Sequence, residues 1–323
     1  MKQRIITGLI LLVVASLWLF SSYEWFLAGS FLVLIVGSYE WGQLVFAGKT
    51  LDNKVGSTDS SNLYLLHKSS FIVKGIYTLS TIIITSILYI LIKGSIGDFP
   101  QIEEQFGAGL INIFAVHPIL NILMIIAALW WMFAIYLVLF YPKTGSLVKN
   151  SFVRALCGYF TLIPFFFALL FLKVQNYHLN QNFGAIVLLS IMCLVWAADS
   201  GAYFAGRAFG KHKMSPHVSP NKTFEGLLGG MVLSLVIFVV VYFLGGYGSK
   251  EISFAQHSGA LIISAIITIF ISVIGDLLES LFKREANIKD SGIIFPGHGG
   301  MLDRIDSLTA SLPIFLVVYG LVA

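Results

Sequence analysis

About nine apolar runs, each near 20 residues long, constrain this chain more than any other feature. They lie at roughly 4–20, 25–46, 71–92, 118–141, 152–172, 183–206, 224–246, 259–283 and 303–322. In hydrocarbon every backbone N–H and C=O must find its partner within the protein, so only helices or closed barrels cross it. These runs are continuously apolar and do not alternate, which favours helices. The expected fold is all-α: a polytopic integral membrane protein with about nine transmembrane helices. A charged fraction of 11% agrees, since soluble domains average about 25%. The first two runs nearly touch and read as a hairpin. Met1-Lys-Gln-Arg4 before an apolar run imitates a signal peptide. No clean small-residue cleavage site follows at Ser21–Glu24, so the run reads as an uncleaved first helix.

Basic residues orient the bundle. With the N-terminus cytoplasmic, Lys2, Arg4, Lys49, Lys54, Lys68, Lys143, Lys149, Arg154, Arg207, Lys211, Lys213, Lys222, Lys283, Arg284, Lys289 and Arg304 all fall on the cytoplasmic side. Only Lys93, Lys173 and Lys250 fall on the other, and Lys74 sits inside the third span. The segment 94–117, with Asp98, Glu103 and Glu104, is then external, and the polar stretch 47–70 reads as a cytoplasmic loop. A net charge of +4 does not suggest nucleic acid. Cys157 and Cys193 lie inside apolar runs as small hydrophobes, and no CxxC supports zinc or a disulfide framework. Asn221-Lys-Thr223 fits a glycosylation pattern, but on the cytoplasmic side.

Polar residues are sparse through the first five helices and concentrate after residue 196. The chain divides into N-terminal transmembrane helices, 1–150, and a C-terminal region, 151–323, that carries the chemistry. A charge at membrane depth costs at least about 2.5 kcal/mol, so such groups default to function. On the eighth helix Asp276, Ser280 and Lys283 follow i, i+4, i+7 spacing and share one face, with Glu279 beside it. Taken singly, Lys283 could snorkel and Asp276 could bond a neighbouring helix. Asp303-Arg304-Ile305-Asp306 places two carboxylates at i and i+3, where they can ligate one cation or two adjacent ones. Helix capping would account for Asp303 but not for Asp306, one turn deep in an apolar span.

Between them runs Lys289-Asp290 to Pro296-Gly-His298-Gly-Gly300. Glycines let backbone N–H groups approach an anion. Arg284, Lys289 and Arg304 add charge for phosphate oxygens, and His298 could bond a phosphate or move a proton. A fourth group lies at 199–225: Asp199, Ser200 and Tyr203, a basic loop, then Ser219-Pro-Asn221-Lys222-Thr-Phe-Glu225 at the mouth of the seventh helix. Such a sequence suits an anion site, although Thr223 also reads as a plain cap. All four groups fall on one expected membrane face.

These residues resemble the phosphatidate cytidylyltransferase family, also called CDP-diacylglycerol synthase. Its signature runs Ser-x-x-Lys-Arg, four residues, Lys-Asp-x-Gly, a short apolar stretch, Pro-Gly-His-Gly-Gly and Asp-Arg-x-Asp. Here it reads Ser280-Leu-Phe-Lys283-Arg284, Lys289-Asp290-Ser-Gly292, and Pro296-Gly-His298-Gly-Gly300-Met-Leu-Asp303-Arg304-Ile-Asp306. Asp199-Ser200-Gly-Ala-Tyr203 and Ser219 to Glu225 resemble the family's second region. Residues before about 150 are generic.

The resemblance implies a reaction in phospholipid biosynthesis: CTP and phosphatidic acid give CDP-diacylglycerol and pyrophosphate, with Mg²⁺ and room for a second cation. It implies an all-helical, dimeric enzyme embedded in membrane lipid (the inner membrane if the cell is bacterial), with its active site facing the cytoplasm. By carry-over Asp276, Asp303 and Asp306 bind metal and act in catalysis with Lys283. Ser219, Asn221 and Lys222 belong to the nucleotide and phosphate region. Two alternatives use similar residues. A CTP-dependent lipid-alcohol kinase would transfer a γ-phosphate. An ion-coupled transporter would use Asp199, Asp276 and Asp306 as an ion path, but no internal repeat supports it.

Overall fold

The structure, a computed structural model, describes residues 2–54, 60–101, 110–178, 180–244 and 258–323, with side chains for 6–46, 71–100, 110–178, 180–241 and 259–323. The apolar runs fold as helices that satisfy their own backbones. They are α1 (Lys2–Leu19), α2 (Tyr23–Lys54), α3 (Ser60–Ile96), α4 (Pro118–Leu139), α5 (Ser151–Lys173), α6 (Phe183–Phe209), α7 (Phe224–Leu244), α8 (Ser258–Glu285) and α9 (Leu302–Val322). Among the described residues eight helices, α2 to α9, are long and apolar enough to cross a membrane. The expected ninth span corresponds to α1, whose apolar part, Ile6–Leu19, is shorter. At 1.5 Å per residue it covers about 21 Å, against a hydrocarbon core of about 30 Å.

Local sequence sets several ends. Pro118 opens α4 at a position where its missing N–H costs nothing, and the preceding His117 accepts from Ile119 N. The Asn150 side chain accepts from Phe152 N and starts α5. The polar stretch 47–70, expected as a loop, is helical on both flanks, because α2 continues to Lys54 and α3 begins at Ser60. No proline interrupts either flank, so nothing forces the helices to stop. Glu103, Glu104 and Lys250, assigned above to the external side, lie outside the described residues, as do the side chains of Lys49, Lys54 and Lys68.

α5 is the hub, with 78% of its apolar window buried; α9 and α8 follow at 72% and 67%. α3 and α7 are peripheral, at 28% and 17%. The larger of two apolar clusters draws on both portions of the chain, from Phe26 and Trp41 on α2 to Phe282 on α8 and Phe315 on α9. Arg154 is fully buried and ties three parts together. Its Nε donates to Val148 O at 2.6 Å, its Nη1 to Leu44 O at 2.9 Å and its Nη2 to Glu285 O at 3.4 Å. These bonds fix one end of α2, α5 and α8 at a common level.

Between α6 and α7 the chain forms a two-stranded antiparallel ribbon, β1 (Lys213–Ser215) and β2 (Ser219–Thr223). The sequence shows no strand alternation there, and the segment was expected only as a loop leading to a cap. Both features exist: Thr223 ends β2, and its Oγ1 accepts from Gly226 N to start α7.

Candidate active site

The site begins with a close helix crossing. A Cβ at Gly275 on α8 would stand 2.6 Å from Asp306 O and 3.1 Å from Ser307 Cα on α9, so only glycine fits without displacing a backbone. This contact brings Asp276, Glu279 and Lys283 on α8 beside Asp303 and Asp306 on α9. Lys283 Nζ donates to Asp303 Oδ1 at 2.6 Å and lies 3.4 Å from Glu279 Oε2. Glu279, 4% exposed, faces Asp306, and Asp276 is within electrostatic range of Asp306. Both Glu279 oxygens are buried, and the Lys283 ammonium is their ion-pair partner among the described residues.

The ribbon supplies the next group. Lys222 Nζ lies 2.7 Å from Asp276 Oδ2, and Ser280 Oγ donates to Asp276 Oδ1 at 3.3 Å. Asp199, with Ser200 exposed beside it, reaches the same region from α6 and interacts electrostatically with Asp276, Lys222 and Arg304. Strand alternation puts Ser219 and Asn221 on the opposite face from Lys222. Two residues expected to meet substrate hold the ribbon. Arg284 Nε donates to Val218 O at its turn, at 3.3 Å. Glu225 accepts from Lys211 N at 3.0 Å and His212 N at 3.2 Å, and pairs with His212 Nδ1 at 2.5 Å.

The signature loop is organised by carboxylates. Asp303 Oδ2 accepts from Ser291 N at 2.9 Å and Gly300 N at 2.7 Å. Glu40 on α2 accepts from Met301 N at 3.0 Å and Leu302 N at 2.8 Å. The loop was expected to aim its backbone N–H groups at an anion, but these four serve protein carboxylates. Asp303 is engaged by Lys283 and the loop, so no three His, Cys, Asp or Glu side chains among the described residues already form a metal-binding group. Asp276 and Asp306 share one region with the bonded Asp303 at its edge, and Lys222 and Lys283 are their counter-charges. Lys289 and Arg304 are exposed at the rim. His298 packs toward α1, where a Cβ on Gly8 would be 3.8 Å from its Nε2, and its buried Nδ1 has no partner among the described residues.

Sequence reading overlooked Glu40 and used Glu279 only as a neighbour. The available signal for Glu40 was a lone carboxylate in an otherwise apolar run.

Comparison with known proteins identifies the family. A Haemophilus influenzae protein named phosphatidate cytidylyltransferase is 37% identical over 326 residues, covering 99% of this chain and 98% of that protein. A Pseudomonas aeruginosa protein of the same name is 36% identical over 66% of this chain and 78% of its own length. One from Bacillus subtilis is 38% identical over 59% and 67%, respectively. Residues 2–322 match the sequence profile described as the Cytidylyltransferase family, and the chain belongs to that family.

Proposed function

We propose that this protein is a Mg²⁺-dependent phosphatidate cytidylyltransferase that converts CTP and phosphatidic acid to CDP-diacylglycerol and pyrophosphate. The observation that carries the reading is the α8–α9 crossing, which gathers Asp276, Glu279, Lys283 and Asp306 and receives Lys222 from the ribbon. The full-length similarity to proteins named for this activity supports it.

The donor set suits a hard divalent cation, which takes carboxylate oxygens and shares its shell with phosphates. Glu279 offers two buried oxygens beside Asp306, with Lys283 as their one ion-pair partner among the described residues, and a cation would balance the remaining negative charge. Asp276, Asp306 and Glu279 are the residues that would hold Mg²⁺, with Asp303 adjoining through Lys283. When bound, the ion supplies charge neutralisation to the phosphates.

In the reaction a phosphate oxygen of phosphatidic acid forms a bond to the α-phosphorus of CTP, and the bond to the bridging oxygen of the β-phosphate breaks. Pyrophosphate leaves with that electron pair. Both reactants are polyanions, so their mutual repulsion is the main obstacle. Lys222 and Lys283 stand where they can neutralise phosphate oxygens and the departing pyrophosphate. A phosphate monoester is already ionised near neutral pH (second pKa about 6), so no protein base is required. The ribbon, held by Arg284 and Glu225, brings Lys222 over the crossing and orients the reactants.

The test uses purified protein, phosphatidic acid vesicles and CTP labelled in turn at the α- and γ-phosphates. Label from the α-phosphate should join the lipid only when Mg²⁺ is present, and EDTA should stop it reversibly. Transfer of γ-label to lipid would overturn the reaction, and full activity in EDTA would overturn the metal dependence.

A further inference from the structure

Glu40 is a carboxylate within an apolar helix, 3% exposed, and the reaction above gives it no role. Its partners lie in one place, more than 250 positions along the chain. Oε1 accepts from Met301 N at 3.0 Å; Oε2 accepts from Leu302 N at 2.8 Å and lies 3.1 Å from Ser291 Oγ. Ser291 and Met301–Leu302 flank the two ends of the glycine-rich loop. Asp303 Oδ2 grips the same two ends, at Ser291 N and Gly300 N, and lies 2.9 Å from the same Ser291 Oγ. Two carboxylates from distant helices thus close the loop, with one hydroxyl between them. Side chains at Gly292 or Gly300 would collide with the Glu40 carboxylate, so these two signature glycines make room for it.

Asp303 has one oxygen on this clamp and the other on Lys283 Nζ. The orientation of Asp303, and through it the place of Lys283 beside Glu279, depends on the loop ends staying where Glu40 holds them. We propose that Glu40 is a positioning residue for the transfer reaction, acting from α2 through Ser291 and the first turn of α9 on Asp303 and Lys283. This rests on the reading of the α8–α9 crossing as the catalytic centre. Small displacements of a catalytic group suffice: about 1 Å can cost roughly 100-fold in rate.

Glu40→Gln keeps the side chain's size but replaces one acceptor with an amide that faces N–H donors. In the purified full-length protein kcat should fall about 10- to 100-fold, with KM for CTP within about threefold and the detergent melting midpoint nearly unchanged. Ser291→Ala should lower kcat in the same way, and the double variant should be no worse than the worse single, because both cut one connection. Amide exchange across 291–302 should accelerate in Glu40→Gln and stay unchanged in α5. That measurement needs no turnover, so it tests the clamp even if the wild-type protein makes no CDP-diacylglycerol. A kcat within twofold of wild type in either single variant, or losses that multiply in the double, would overturn the proposal. So would activity that falls only with the folded fraction, or unaltered exchange at 291–302. If Glu40→Gln does not fold, Ser291→Ala and its exchange pattern decide alone.

Discussion

In the proposed reaction Asp306 is the residue on which the chemistry turns most directly. It sits one turn into α9, facing Glu279 and within electrostatic range of Asp276. The start of α9 does not depend on it, because Glu40 takes the Met301 and Leu302 N–H groups and Asp303 takes that of Gly300. Asp306→Asn should therefore lower kcat by about 10²-fold or more, the scale of losing one preorganised electrostatic group, while the thermal midpoint stays near wild type. Near-normal turnover would remove Asp306 from the site. Lys222 makes a complementary case. It is the only described basic group in a direct ion pair with Asp276, so Lys222→Gln leaves that carboxylate with only the weaker influence of Lys283 and removes a charge from the phosphates. The expected result is a fall of about 10²-fold in kcat/KM for CTP, measured at saturating phosphatidic acid. An unchanged kcat/KM would place Lys222 outside the nucleotide region.

At the scale of elements the crossing of α8 and α9 carries the site, and Gly275 sets how close the two backbones come. Gly275→Ala would put a methyl 2.6 Å from Asp306 O. Relief requires the helices to separate, at about 1–3 kcal/mol for an overpacked contact, and the separation would pull Glu279 from Asp306. Activity should fall together with the melting midpoint, and a variant as stable and active as wild type would show that the crossing is slack. This part of the site could be read in advance. Asp276, Ser280 and Lys283 follow helical spacing, and Asp303 and Asp306 follow one turn, so each face was legible from periodicity alone. The span limits of α4 to α9 were legible too, since hydrocarbon thickness and apolar composition fix them. What escaped notice was set by tertiary contact. β1 and β2 have no alternating pattern, and Arg284 and Glu225, from other elements, bond the backbone flanking them. Glu40 looked like one stray charge in a generic helix, because its partners sit at the far end of the chain. For Arg284 and Glu225, charge and position suggest substrate but do not reveal the bonds to the ribbon's backbone that the structure shows.

At the scale of the whole molecule, α1 links the two ends of the chain. Thr7 Oγ1 donates to Pro296 O at 3.3 Å, and Gly8 packs beside His298. The start of α1 and the signature loop therefore share one side of the bundle, and Arg154 holds the ends of α2 and α8 at that level. The excess of lysine and arginine on that side is what the positive-inside rule expects of a cytoplasmic face, and labelling tests that expectation. The linker between α5 and α6, with exposed Asn180, lies at the opposite end. Three single cysteines test the arrangement in a Cys157→Ser, Cys193→Ser background: His212→Cys on the ribbon, Asp290→Cys in the signature loop and Asn180→Cys on the far side. All three positions are exposed. An impermeant maleimide should label the first two only in inside-out vesicles and the third only in right-side-out ones. Reversal of all three would invert the molecule and leave the active site intact but facing away from cytosolic CTP. Labelling of positions 212 and 290 from opposite sides would be more serious, because Lys222 could not then reach Asp276 and the ribbon and crossing could not form one site.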